Sequence, residues 1–251
     1  MNDSSISIVI VSSAQAHKVK ERAMASMFEL LMELPLFQGV SHSKLAEIVG
    51  SAKFHFLKYP EGETIIRAGE RCDHLAFVIS GSVRYTVTNI NGRFSVSQTL
   101  AAPAVIAPDF LFGKITDYPC DVVALETTGI LKISKADYIK ILGADPVFAF
   151  NYLNTLSVNA QKAVDGILSL TSGELSERIA FWIIALTQAG GTDICLTCKA
   201  RDLSSIFGVQ RSTFEANMRQ MKEAGLIDYE PSQIRVADRS RMLALLQKNS
   251  E

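Results

Sequence analysis

The chain reads as an α+β protein, and three stretches carry that reading. Between Ala52 and about Ser134, short apolar or alternating runs are cut by turn residues roughly every ten positions, the habit of an all-β sandwich or barrel. From Asp145 to Leu170, apolar residues recur at spacings of four and three, the mark of a long helix with an apolar seam. From Lys199 to Ile227, two short helical periods are separated by Gly208, which supplies the positive φ of a tight turn.

Residues 1–17 are small and polar apart from Ile6–Val11, and read as a poorly ordered extension or an upstream start. That patch is short and lacks a basic flank and a clear cleavage site, so a secretory signal is not expected. A helix over 18–34 follows, with Met24, Met27, Phe28, Leu31 and Leu34 apolar and Pro35 ending it, then a short helix over Ser43–Ser51. The strand region is punctuated at Pro60–Gly62, Gly69-Glu70, Ser80-Gly81, Asn89–Gly92, Pro103, Pro108-Asp109 and Thr128-Gly129. Asn91-Gly92 lies between Tyr85–Thr88 and Phe94–Leu100 and predicts a hairpin.

Asp145-Pro146 opens the long helix, with proline tolerated in its first turn. On the order of 40 Å long at 1.5 Å per residue, it carries Ala149, Leu153, Leu156, Ala160, Ala163, Ile167 and Leu170 on one stripe. Such a seam predicts a homodimer, and Phe148, Tyr152, Val164 and Leu168 on a neighbouring face are free to pack on the chain's own domain. Thr171–Gly173 reads as a hinge. A helix over Glu174–Gln188 presents Leu175, Ile179, Trp182, Ile183 and Leu186, Gly190-Gly191 closes it, and Ile194–Thr197 is a short strand.

Then come a helix near Ala200 with Leu203 and Ile206, the Gly208 turn, Val209, and a second helix over Gln210–Ala224. Phe214, Met218 and Met221 face its core, and the opposite face opens with Gln210, Arg211, Ser212 and Glu215. Gly225 caps it, Leu226–Tyr229 with Ile234–Val236 forms a small hairpin, and Ser240–Gln247 is a last helix. A polar-tipped second helix followed by a wing is how winged helices read DNA, whereas a plain helical hairpin in a core needs no such face. Lys199, Arg201, Arg211, Arg219 and Lys222 outnumber Asp202 and Glu215 here, a mild local excess.

The 251 residues allow two ordinary domains. A net charge of −1 gives no global field for nucleic acid, so any affinity for it must be local and salt-sensitive. No run approaches the roughly 20 apolar residues of a membrane span, and a cytoplasmic location is expected. Cys72, Cys120, Cys195 and Cys198 suit a reducing compartment. The Cys195–Cys198 spacing has no second pair, and a strand would turn the two thiols to opposite faces, so neither a metal nor an iron–sulfur cluster is expected. His55 and His74 read as surface or packing residues. No paired carboxylates, nucleophile motif or phosphate loop stands out, and an enzyme is not expected.

In this order the parts resemble the CRP/FNR family of bacterial transcription regulators over about residues 34–238. The most specific pieces are Tyr59-Pro60-Glu61-Gly62-Glu63 with Ile65, Gly69-Glu70, and Val78–Val83 with Gly81, joined to Gly208–Ile227. The resemblance implies a jelly-roll-like β-roll, a long dimerisation helix and a winged helix-turn-helix. The implied divisions are 1–33 as extension and helix, 34–142 as a cyclic-nucleotide-binding-like domain, 143–170 as the dimer helix and 171–251 as the DNA-binding domain. Implied partners are double-stranded DNA, a second copy of the chain, RNA polymerase and a small effector, with no membrane.

The cyclic-nucleotide binders of this family meet the phosphate and ribose with a Gly-Glu pair and neutralise the phosphate with Arg-Ser. Here Ala107-Pro108 falls at the first pair and Tyr118-Pro119 at the second, and a shifted alignment offers only Lys114. A buried phosphate without a cation costs several kcal/mol, so cAMP is not the expected effector. Another small effector or none is expected, and no cofactor. On the second helix the family's base-reading positions are Arg211, Ser212 and Ala216, of which Arg211 keeps a guanidinium able to take guanine O6 and N7. Glu215 and Arg219 lie on or near the same face, and Lys199, Arg201, Gln210 and Thr213 are the expected phosphate contacts. Arg201 and Arg219 read equally well as solvated charges. A ligand- or partner-binding module of this fold with degenerate DNA recognition stays open beside the regulator.

Overall fold

The computed structural model describes residues 27–168, 170, 173–236 and 239–247. The expected N-terminal extension, residues 18–26 of the first expected helix, and Thr171-Ser172 of the expected hinge lie outside them. Residues 27–33 (α1) are helical. They lead to α2 (His42–Ser51), whose start is capped by the Ser41 hydroxyl accepting from Lys44 N.

The strands follow as β1 (Phe54–Tyr59), β2 (Thr64–Ile66), β3 (His74–Ser80), β4 (Ser82–Thr88), β5 (Ser95–Ala101), β6 (Ala104–Ile106), β7 (Cys120–Ala124) and β8 (Thr128–Ser134). One sheet runs β1-β8-β3-β6, and β5, β4, β7 and β2 stand side by side in the other. Every pairing is antiparallel. The core lies between the sheets. β3 is apolar without alternation, and Leu75, Ala76, Phe77 and Val78 are all buried, because β8 and β6 flank it and Phe37 covers it at a 5.7 Å ring separation. β4 alternates instead, burying Val83 and Tyr85 and turning Arg84 and Thr86 away from the core. Gly81 joins the two strands at φ 75°, and a Cβ there would lie 2.8 Å from the Thr127 carbonyl oxygen, so only glycine fits.

After α3 (Lys135–Ala144) comes α4 (Pro146–Leu168), the long expected helix, ending at Leu168 rather than Leu170. Its first half is fastened to the roll. The Phe148 ring meets Phe37 edge-on at 4.9 Å, the Tyr152 hydroxyl donates to the Pro108 carbonyl at 2.8 Å, and Asn151 Nδ2 donates to the Gln38 carbonyl at 2.8 Å. The neighbouring face does not bury all four of its expected members. Val164 and Leu168 are exposed, because the contact in that half is made by Gly166, buried close against Ala185 of α5 (Leu175–Leu186). The expected seam also rotates slightly. Leu156 leans on the roll core and Ala163 borders a small cavity, so the outward apolar line runs through Phe150, Leu153, Val164 and Ile167, past exposed Ala160.

The C-terminal part comprises α5, β9 (Thr192–Thr197), α6 (Ala200–Ile206), α7 (Arg211–Glu223), β10 (Asp228–Glu230), β11 (Gln233–Val236) and α8 (Arg239–Gln247). These elements enclose a second core around Ile183, Leu196, Phe207, Phe214 and Met218. By sequence the roll and this part read as separate, but one sheet crosses between them, in the order β10-β11-β9-β5-β4-β7-β2. The join is β5 on β9, pairing Ser95 with Thr197, Val96 with Leu196 and Ser97 with Cys195. Val96, a roll residue by sequence, is buried in the second core.

Candidate nucleic-acid interface and effector region

α6 and α7 meet through a turn at Gly208, whose φ of 65° suits glycine. The angle is held by an aromatic column. Trp182 of α5 meets Phe207 edge-on at 5.5 Å, and Phe207 stacks on Phe214 of α7 at 6.1 Å. Arg178 lies over the Phe207 ring and donates to the carbonyls of Phe207, at 2.7 Å, and of Leu170, which follows the long helix. One guanidinium therefore ties the end of the long helix to the turn. Phe214, Met218 and Met221 are buried as their spacing predicts, which leaves Gln210, Arg211, Ser212, Thr213, Ala216 and Arg219 exposed.

Arg211 Nε is 2.7 Å from Glu215 Oε1, one turn along the same helix, so the guanidinium at the tip is already partly engaged. Lys199 is the residue before α6 and is exposed, and exposed Arg201 is 3.9 Å from Asp202. Lys222 is not part of the open face. It meets Asp228 at 2.6 Å, holds the end of α7 to the wing, and pulls the Asp228 carboxyl below the usual carboxylate range.

In the roll, Ala107 takes a left-handed backbone at φ 43° and opens a 3-10 turn over Pro108–Phe110. Pro108 has no N–H, and its carbonyl accepts from Tyr152. The Tyr118 hydroxyl points away to donate to the His74 carbonyl at 2.7 Å, Pro119 is half-buried, and Lys114 is exposed. Of the expected pocket residues, Ala107 and Pro108 therefore form the turn, Tyr118 is committed to a backbone carbonyl, and Lys114 stands at the surface. The cavity beside the long helix, about 170 Å³, is lined instead by Tyr85, Gln98, Asp109, Asn159, Lys162 and Thr187 among others. Asp109 accepts from Asn159 Nδ2 through both carboxylate oxygens at 2.9 Å. Burial lowers the Lys162 ammonium's pKa, and Arg239 adds to this while Asp109 opposes it.

A roll and a helix-turn-helix in this order have known counterparts. The cyclic nucleotide-binding domain family matches residues 56–145, and the Crp-like helix-turn-helix domain family matches residues 177–245. The chain belongs to the CRP/FNR family. Among curated relatives, the cyclic AMP receptor protein of Thermus thermophilus is 26% identical over 211 residues, covering 81% of this chain and 93% of the relative. The CRP-like cAMP-activated global transcriptional regulator of Mycobacterium tuberculosis is 22% identical over 227 residues, covering 86% and 98%. The solved Thermus thermophilus catabolite activator protein aligns with a TM-score of 0.46 at 20% identity, over 85% of this chain and 99% of that one. This CRP/FNR chain is therefore a transcription regulator with a DNA partner.

Among the described residues of this regulator, no group of three or more His, Cys, Asp or Glu side chains could hold a metal, and no helix is long and apolar enough to cross a membrane. Cys198 is buried, while Cys195 is half-buried and its sulfur accepts from Gln233 Nε2 at 2.9 Å. The contacts that sequence reasoning does not reach are those joining the halves. Gln98 is buried and accepts from Gln188 N at 2.9 Å, Phe94 meets Trp182 at 5.4 Å, and Arg84 meets Asp193 at 2.7 Å. The Phe94-Ser95-Val96 alternation that completes the hairpin is the available signal, but alternation does not say which core receives the apolar side chains.

Proposed function

We propose that this regulator is a homodimer that binds a pseudo-palindromic operator with α7 and answers to a small effector other than cAMP. The observation that carries the reading is the exposure of the first turn of α7 while its Phe214, Met218 and Met221 face is buried. Arg211 is the base reader able to take guanine, with Ser212, Glu215, Ala216 and Arg219 beside it, and Lys199, Arg201, Gln210 and Thr213 set the register on phosphates. A two-fold dimer joined along Leu153, Ala160 and Ile167 spaces two such helices about one turn of duplex apart. RNA polymerase is the partner through which a bound dimer would act.

Two local features disfavour cAMP. The position that would need an arginine holds Tyr118, whose hydroxyl is committed to a carbonyl. The backbone position after Ala107 is a proline without a donor. Selecting sites from a random duplex library with the purified chain, at two salt concentrations, tests the reading. A two-fold-symmetric motif lost in Arg211→Ala is the expected result. Salt-sensitive binding without a motif, even when cell-extracted small molecules are added, would favour the degenerate module. For the effector, cAMP at millimolar concentration should leave the melting temperature unchanged, since a ligand that binds only the folded state must raise it.

A further inference from the structure

A basic cleft opens where the roll meets the helix-turn-helix. It encloses about 730 Å³ and is bordered by Gly92 and Arg93 from the tip of the β4–β5 hairpin, Lys199 and Arg201 at the head of α6, Arg211 at the head of α7, and Ser232 in the wing turn. Of its four cations, Arg201 lies 3.9 Å from the bordering Asp202 and Arg211 is paired with Glu215, which leaves Arg93 and Lys199 as the uncompensated charges. Among the described residues, neither Arg93 nor Lys199 is within 4.0 Å of a carboxylate oxygen. Both side chains are exposed.

The Arg93 backbone is held at this border by the hairpin. The hairpin tip is closed by Asn89 N donating to the Phe94 carbonyl at 2.9 Å and Gly92 N to the Asn89 carbonyl at 2.9 Å. Two side chains brace it, since Asn91 Oδ1 accepts from Arg93 N and Asn89 Oδ1 from Phe94 N. Just beyond, the Ser95–Thr197 pairing and the burial of Val96 rivet the hairpin to β9. A cation carried on a backbone fixed this way borders the same cleft as the residues that the DNA-binding reading assigns to phosphates and bases. Concentrated positive charge along one open cleft fits a polyanion.

We propose that Arg93, a residue of the roll, contacts the DNA backbone, so that the effector domain adds its own phosphate contact to the reading head. The inference rests on the DNA-binding reading above. Phosphate contacts set affinity and register without reading sequence, so Arg93 adds affinity to every duplex alike.

The test uses the full chain and its Arg93→Ala, Arg93→Lys and Arg93→Glu variants on the selected operator and on an unrelated duplex across a salt series. Arg93→Ala should weaken both complexes by the same factor, about tenfold at low salt, and flatten the salt dependence by about 0.9 for each phosphate it no longer neutralises. Arg93→Lys should restore most of the affinity, and Arg93→Glu should weaken it further. Competition by inorganic pyrophosphate should be as weak for the wild type as for Arg93→Ala, because the partner is an extended backbone rather than a free anion. Unchanged affinity and slope in Arg93→Ala overturn the inference and leave the regulator reading standing. Tighter binding in Arg93→Ala also overturns it, making the hairpin an obstacle. A wild-type chain that binds no duplex at any salt overturns both.

Discussion

Arg84 on the roll donates through Nη1 to the Asp193 carbonyl at 3.1 Å and through Nη2 to the Asp193 carboxylate at 2.7 Å. Asp193 has a left-handed backbone at φ 44°, which turns its carbonyl and side chain toward the same guanidinium. The pair sits beside the β5–β9 ladder and locks the sheet that joins the two halves. Arg84 is about a third exposed and Asp193 more so, and solvent screening holds such a pair to about 0.5 kcal/mol. Arg84→Ala should therefore barely lower the melting temperature yet speed amide exchange in β9, where local opening is decided. Unchanged exchange at Ile194 and Leu196 would mean the ladder holds without the pair.

Gln98 and Gly191 form a second fastening, made by close approach. Gly191 N donates to the Gln188 carbonyl at 3.0 Å, and Gln98 Oε1 accepts from Gln188 N at 2.9 Å. A Cβ on Gly191 would fall on the Gln98 carboxamide oxygen and 3.1 Å from the Gln188 carbonyl oxygen. Gly191→Ala should drive the buried amide from its partner at a cost of about 1–3 kcal/mol, the penalty of an unsatisfied buried group. Denaturant unfolding reads this, and Gln98→Ala in the same background should add little if the damage is shared.

Glu215 restrains Arg211 at the head of α7. Its carboxylate pairs with Arg211 at 2.7 Å, and both partners stand at the face assigned to DNA. Glu215→Gln removes a negative charge from that face and leaves Arg211 free, so affinity for unrelated duplexes should rise several-fold and the preference for the selected operator should narrow. A lower affinity for all duplexes would instead make the pair a device that aims Arg211.

Alkaline pH should unfold the roll in step with its tyrosines. Burial raises the pKa of Tyr85, Tyr118, Tyr138 and Tyr152 well above the ordinary phenol, and burial pushes the Cys120 thiol up to about 12. A folded-state pKa above the unfolded value means the contribution is whole below the unfolded value and fades as pH climbs toward the folded one. For Cys120 that window is 9.0 to about 12. Phenolate absorbance from these tyrosines should therefore appear with the loss of near-ultraviolet circular dichroism, not before it. An earlier rise would show that the phenols reach water in the folded chain.

Much of this is legible from residue patterns. Gly208 between two apolar periods places the turn, Phe214, Met218 and Met221 place the buried face of α7, and Asn91-Gly92 places the hairpin. Those signals are local, because each depends on backbone conformation or on periodicity within one element. What residue patterns do not supply is the destination of each surface. Val96 alternates as any roll residue does, and only the fold reveals that it enters the other core. Val164 continues an apolar face, yet Gly166 makes the contact, because close helix crossing favours the residue without a side chain. Asp109 gives no signal beside Pro108, since a lone acid in a turn is indistinguishable from a solvated one until Asn159 is found against it.

The outward line on α4 is apolar and open. Leu153 is 61% exposed and Ile167 is 67% exposed, though both are large and apolar, and Phe150 and Val164 continue the line. They lie at spacings of three, eleven and three along one helix, with Ser157 and Ala160 filling the gap at seam positions, so the period is that of a coiled coil. In the proposed dimer a second copy of the helix would cover such a line symmetrically. Ile167→Asp should therefore give a monomer by sedimentation at concentrations where the wild type is a dimer, because it desolvates a charge at the seam. Lys140→Asp, at an exposed site paired with Asp137, is the control that alters surface charge away from the line. The Ile167→Asp monomer should still bind a single half-site weakly and lose the preference for palindromes. A dimer that survives both Ile167→Asp and Leu153→Asp places the interface elsewhere.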